Sequence, residues 1–156
     1  MQRHGVFVAV CNLIVRRGKF LLVQETKSFV RGKYNFPGGG MELGETITEC
    51  AAREAYEETG FRIKPTKLVG IYEVRFTQRG NTLVTPVVVS KIIGGKMKTT
   101  PKHPVIRWFS YLEIKTLEKQ GKIRGTNVLT AIEHYRRNRL LSLSVFTEVP
   151  SSGHRK

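Results

Sequence analysis

The chain has 156 residues, which is room for one domain with a core of its own. Its hydrophobic residues, 40% of the total, are spread along the sequence, and no apolar run approaches the ~18 residues that span a bilayer. Two cysteines exclude a disulfide framework, and a net charge of +15 favours a polyanionic ligand or substrate.

The apolar stretch Val6 to Val15 follows Gln2-Arg3-His4, as the core of a signal peptide would. However, Arg16-Arg17 comes next and no small-residue cleavage site follows. It reads as a first strand, with the protein cytoplasmic. Strand-like runs rich in Val, Ile, Leu and Phe fall at about 5–15, 19–25, 67–77, 82–93 and 105–109. Gly18 divides the first two into a hairpin, Gly80-Asn81 divides the next pair, and Gly94-Gly95 closes the fourth. Residues 96–104, with two prolines and no apolar periodicity, read as a basic loop. Cys11 in the first strand and Cys50 in a helix read as small buried residues.

Helical patterns fall at about 46–59, 111–119 and 126–139. The first opens on Thr46 with Glu49 three residues later, the form of a capping box. It closes on Gly60, where a left-handed residue is wanted. Ile47, Ala51 and Ala55 recur at four-residue steps and can face a sheet. Ser110 is a fitting N-cap for the second. The third carries Val128, Ile132 and Tyr135 on one stripe, with Arg136, Arg137 and Arg139 near its end as a solvated cationic terminus. Strands and helices without βαβ repetition predict an α+β fold with a mixed sheet flanked by helices. The reading is one domain over 1–149 with a frayed polar tail over 150–156.

Charge is unevenly placed. The chain has no aspartate, and six of its 12 acids (Glu42, Glu45, Glu49, Glu54, Glu57 and Glu58) lie within 42–58 against Arg53 alone. That segment carries −5 and the remainder +20. Glu54, Glu57 and Glu58, at i, i+3 and i+4, share one helix face, where like charges repel by roughly 0.2–0.5 kcal/mol per pair. A hard divalent cation bound there would remove the repulsion; the other reading is a solvated acidic face. Upstream, Tyr34-Asn35-Phe36-Pro37-Gly38-Gly39-Gly40 reads as a short strand ending in Pro and three glycines. It is either a simple turn or backbone left open for a cation at its carbonyls and a phosphate at its amides.

Taken together, Gly39, Glu45, Arg53-Glu54, Glu57-Glu58, Gly60 and Phe61 resemble the Nudix box: Gly, five residues, Glu, seven residues, Arg-Glu, two residues, Glu-Glu, one residue, Gly, then an aliphatic residue. Chance agreement at this spacing is on the order of 10⁻⁸ per starting point. Ala55 departs from the bulkier aliphatic residue that the family prefers. The chain also has no acidic residue between Glu73 and Glu113, where many members place a loop carboxylate.

The resemblance implies an α/β/α sandwich whose loop-helix-loop binds Mg²⁺ or Mn²⁺. Glu54, Glu57 and Glu58 would be ligands with the Gly38 carbonyl, and Arg53 would orient a glutamate with Glu45 as its partner. The implied reaction is water attack at phosphorus on a nucleoside diphosphate linked to a further group, or on a small phosphorylated metabolite. Arg31 and Lys33, with Gly39 and Gly40, are candidates to hold substrate phosphates, and Lys96, Lys98, Lys102 and His103 are further candidates. Trp108 and Phe109 read as core. His103, between Lys102 and Pro104 in a cationic loop, is expected to be mobile with a depressed pKa, which leaves the general base among Glu54, Glu57 and Glu58.

Two other readings are an RNA 5′-end pyrophosphohydrolase and a catalytically silent nucleotide sensor. The basic residues form no stripe with aromatics, so a small-molecule substrate is expected rather than nucleic acid. Oligomeric state is left open, a homodimer included.

Overall fold

The computed structural model describes residues 5–76, 80–125 and 127–149. The first apolar run is β1 (Val6–Arg16). Successive strand side chains point to opposite faces, and β1 uses both: Val10 and Ile14 pack on one side of the sheet, Cys11 and Leu13 on the other. Arg17 and Gly18 both take positive φ, 50° and 73°. That pair of conformations turns the chain tightly into β2 (Lys19–Gln24).

The remaining strands are β3 (Tyr34–Asn35), β4 (Gly38–Gly40), β5 (Phe61–Phe76), β6 (Asn81–Gly95) and β7 (Ile106–Phe109). Their order is β3-β2-β1-β6-β5, with β4 on β1 and β7 on β2. β1 and β6 run parallel and the other pairs antiparallel, so the sheet is mixed. Helix α1 (Ile47–Thr59) lies on the Val10 and Ile14 face, where Ala51 and Ala55 are wholly buried. Helices α2 (Tyr111–Lys119) and α3 (Asn127–Arg136) cover the Cys11 and Leu13 face through Ile114, Val128 and Ile132. The result is the expected α/β/α arrangement.

Three expectations need correction. β5 begins at Phe61, directly after the Gly60 cap, rather than near residue 67. The alternation Phe61 in, Arg62 out, Ile63 in, Lys64 out starts the strand. Pro65 does not stop it, because β5 is an edge strand that absorbs irregularity at three register shifts. The glycine run is not the end of a strand but a separate one, β4, paired with Ala9, Val10 and Cys11 of β1. Finally, α3 ends at Arg136. Asn138 takes φ 54° there, and Arg139 N–H donates to the His134 carbonyl, which closes the helix. The expected tail over 150–156 lies outside the described residues.

One buried side chain ties these pieces together. Asn12 Nδ2 donates to the Ala51 carbonyl of α1 at 2.9 Å and to the Pro37 carbonyl at 3.3 Å. Its Oδ1 accepts from Ser90 Oγ of β6 at 2.8 Å. Replacing it removes the acceptor of the buried Ser90 hydroxyl, which costs about 1–3 kcal/mol when orphaned, while the Pro37 carbonyl keeps the Asn12 backbone N–H. Asn12→Ala is therefore expected to lower the urea midpoint by the equivalent of ~1–3 kcal/mol; an unchanged midpoint would show that the tie is dispensable.

Candidate active site

The acidic segment is held by both ends of α1. Thr46 Oγ1 accepts from Glu49 N–H at 3.3 Å, while Thr46 N–H donates to Glu49 Oε2 at 2.8 Å, so the capping box forms. At the other end Gly60 has φ 75°, and its N–H donates to the Tyr56 carbonyl. A Cβ at Gly60 would lie 2.4 Å from the Lys96 carbonyl oxygen, so both conformation and space require glycine there.

Arg53 gathers the carboxylates. Its Nε donates to Glu45 Oε1 at 2.5 Å and its Nη2 to Glu45 Oε2 at 3.0 Å, a two-point grip that fits a planar guanidinium. Nη1 donates to Glu54 Oε1 at 2.8 Å and reaches Glu57 Oε2 at 3.5 Å. Nη2 also donates to the Gly40 carbonyl at 2.9 Å, fastening the helix to β4. The grip pulls the Glu45 carboxyl down to about 2. Glu54 goes the other way. Burial raises its pKa, Arg53 opposes that, and the charges of Glu58 and Glu57 raise it further, for a net rise.

Glu54 and Glu58 are largely covered, whereas the Glu57 side chain is 57% exposed. The carboxylate of Glu54 lies against Gly39 so closely that a Cβ there would stand 2.4 Å from Oε1. Glu58 Oε2 accepts from Gly38 N–H at 2.9 Å. The helix face and the glycine strand thus make one site, although the three glutamates are not equivalent in it.

The loop after β6 overturns the expectation for His103. This histidine is only 7% exposed, and its Nε2 lies 2.9 Å from Glu58 Oε1. Its Nδ1 lies 3.2 Å from the Gln24 carbonyl. Burial disfavours the charged ring, but the bond and charge of Glu58, the Gln24 carbonyl and Glu25 outweigh it, and the pKa is raised rather than depressed. The loop is also tethered. Lys98 N–H donates to the Thr59 carbonyl at 2.8 Å, Thr26 Oγ1 to the Lys102 carbonyl at 2.9 Å, and Gln24 N–H to the Val105 carbonyl at 2.8 Å.

Arg31 and Lys33 border a tight turn closed by Gly32 N–H donating to the Glu25 carbonyl and Glu25 N–H donating to the Lys33 carbonyl. Neither makes an ion pair among the described residues. Gly39 and Gly40 contact Glu54 and Arg53, as described above. Cys11 and Cys50 are buried, and desolvation pushes their thiols up to about 12 and 11, which leaves them unsuited to act as nucleophiles. Phe109 is core; Trp108 is half-buried under the Arg16 guanidinium, 5.0 Å from the ring centroid. Sequence reasoning missed the buried Glu25, which pairs with Arg124, 99 residues away, beside the same site.

Two outcomes follow from this geometry. Gly39→Ala meets only the movable end of Glu54, so it should fold normally while displacing that carboxylate and lowering kcat by at least ~10-fold, the scale of one misplaced catalytic group. Gly38→Ala would place its Cβ 2.2 Å from the Val10 carbonyl oxygen inside the sheet, and should instead lose folded protein. Circular dichroism with kinetics on both variants separates the two, and equal behaviour would contradict the geometry. For Glu45, the depressed pKa means the Arg53 pairing stabilises the fold fully above its ordinary value of 4.5 and is lost as pH falls toward about 2. The gap in thermal midpoint between wild type and Glu45→Gln should be full above pH 4.5 and narrow through that window. A gap that does not change with pH would contradict the pairing.

Comparison with known proteins identifies the family. The NUDIX domain model matches residues 3–130. The chain is 31% identical over 127 residues to a MutT-like protein from Streptomyces ambofaciens, covering 81% of this chain and 77% of the relative. It is 34% identical over 91 residues to an ADP-ribose pyrophosphatase from Methanocaldococcus jannaschii, covering 58% and 54%. A NUDIX hydrolase structure from Nitrosomonas europaea superposes with TM-score 0.84 at 30% identity, over 94% of this chain and 99% of that one. No helix among the described residues is long and apolar enough to cross a membrane. The box residues, the sandwich fold and these relatives together place the chain in the Nudix family, as a hydrolase of that family.

Proposed function

We propose that the enzyme cleaves a diphosphate linkage in a nucleoside diphosphate joined to a further group, or in a small phosphorylated metabolite, using Mg²⁺ or Mn²⁺ held by Glu54, Glu57, Glu58 and the Gly38 carbonyl. The observation that carries this reading is the crowding of carboxylates against the glycine strand, with Glu54 pushed toward its protonated form by burial and by its like-charged neighbours. An all-oxygen, acidic donor set fits a hard dication. As the side chains stand, no group of three among the described residues is arranged to hold an ion. Arg53 occupies Glu54, Gly38 and His103 occupy Glu58, and Glu57 faces outward. Loading the site therefore asks Glu57, the exposed one, to turn inward.

A bound dication screens the charge of the diphosphate and lowers the pKa of a water molecule. The remaining roles fall to the chain's own residues. Arg53 keeps Glu45 and Glu54 in register with β4. Glu54, held by Arg53 and lying against Gly39, is the carboxylate placed to take a proton from the attacking water. Arg31 and Lys33 supply cations for the substrate phosphates, with Gly39 and Gly40 lining the approach. The similarity to an ADP-ribose pyrophosphatase supports a nucleoside diphosphate as the common part of the substrate.

The test is product analysis across nucleoside triphosphates, ADP-ribose, sugar nucleotides and small pyrophosphates, with and without metal. Hydrolysis should vanish in EDTA and return with Mg²⁺ or Mn²⁺. Glu57→Gln and Glu58→Gln should each lower kcat by at least ~10²-fold while remaining folded, because Glu57 is largely in solvent and a glutamine at position 58 keeps one acceptor oxygen for its donors. Full activity in EDTA, or in either variant, would overturn the proposal.

A further inference from the structure

We infer that His103 is a positioning residue: its ring bridges the Gln24 carbonyl of β2 and the Glu58 carboxylate of α1, and so fixes Glu58 where it can bind a divalent cation. The inference rests on the proposed metal-dependent reading and adds to it a residue that lies outside the Nudix box.

The geometry leaves the ring one role. Nδ1 faces a backbone carbonyl at 3.2 Å, which can only accept. Nε2 faces a carboxylate oxygen at 2.9 Å, and a charged carboxylate also only accepts. Nε2 therefore donates to Glu58, with the ring held in place at its other nitrogen by the Gln24 carbonyl. The other oxygen of Glu58 is taken by Gly38 N–H at 2.9 Å, so the carboxylate is clamped between β4 and the loop. Glu57, one position earlier on the same helix, has no such clamp: its carboxylate meets Arg53 at 3.5 Å and is largely in solvent.

The loop that carries the ring is itself fixed. Thr100 and His103 exchange backbone bonds at 3.0 and 3.1 Å, and Thr100 Oγ1 accepts from His103 N–H at 3.1 Å. With the tethers at Thr59, Thr26 and Gln24, this makes residues 98–105 a rigid brace between the end of α1 and the end of β2. The stretch from residue 74 to 112 contains no carboxylate, so what this segment offers the acidic helix is a donor that holds one of its glutamates rather than a further ligand.

Outer partners that orient metal-binding side chains typically change metal affinity 10–100-fold when removed. Two substitutions divide the ring into its halves. In His103→Asn the amide reaches the Nδ1 position and keeps the Gln24 bond but not the Glu58 bond; in His103→Gln the amide nitrogen reaches the Nε2 position and can still donate to Glu58. Mn²⁺ dissociation constants, read by electron paramagnetic resonance, should rise ~10–100-fold for His103→Asn and His103→Ala but stay within about 3-fold of wild type for His103→Gln. The double variant His103→Asn/Glu58→Gln should bind Mn²⁺ no more weakly than Glu58→Gln alone, since one interaction is removed once.

Three results would overturn the inference: wild-type affinity in His103→Asn, equal damage in His103→Gln and His103→Asn, or additive losses in the double variant. Nitrogen coupling from the His103 ring to bound Mn²⁺ would also overturn it, by making the ring a ligand. Failure of the wild type to bind Mn²⁺ at all would instead strike the metal-dependent reading, and this inference would fall with it.

Discussion

Six carboxylates within 17 residues face a single arginine, and the local structure is the answer to that imbalance. A guanidinium offers five donors in a fixed plane. Arg53 spends them on both oxygens of Glu45, on Glu54, on the edge of Glu57 and on the Gly40 carbonyl. A lysine at position 53 would present a point charge and could not hold Glu45 at two oxygens while also fastening β4. Orientation comes with charge balance: with Glu45 and Gly40 fixed, Glu54 lies against Gly39 while Glu58 meets Gly38.

The second constraint is closeness. α1 comes near the sheet because Ala51 and Ala55 present almost no side chain, and Ala55 occupies a position where the family more often carries a larger residue. β4 in turn fits because Gly38 has the Val10 carbonyl where a Cβ would be, and Gly39 has Glu54 there. Asn12 closes the arrangement by bonding the sheet, the approach to β4 and the helix with one side chain. The site is therefore built by omission of side chains on two elements and by one polar tie beneath them. Stability and catalytic geometry meet in the same few residues.

What could be read from the sequence follows the range of each interaction. The caps of α1, the alanine stripe, the β1–β2 turn and the spacing of the glutamates are settled within four residues or one turn, and all are legible. The pairing of Arg53 with Glu45 spans eight residues and came from resemblance rather than from periodicity. Two contacts that shape the site from outside were not legible: Glu25 with Arg124, and Glu58 with His103. Their partners are brought together by strand order, and no local pattern marks them. His103 was further disguised by its neighbours, because Lys102 and two prolines look like a solvated loop. The prolines excluded regular structure correctly, but tethering by backbone bonds to Thr59, Thr26 and Gln24 needs no periodicity at all. The one available signal was the missing acid between Glu73 and Glu113, a gap in which the histidine was the only titratable group suited to neutral pH.

The same brace bears on the basic surplus of the chain. The last turn of α1 contains no basic residue, although the negative end of a helix favours cations. The loop supplies a backbone donor there instead: Lys98 N–H caps the Thr59 carbonyl. An acidic cluster alone would repel a diphosphate. On the proposed metal-dependent reading, the +20 carried by the rest of the chain and a dication bound among the carboxylates would together favour an anionic substrate. The loop thus meets the acidic helix at two points, its backbone at the Thr59 carbonyl and its histidine at the Glu58 carboxylate.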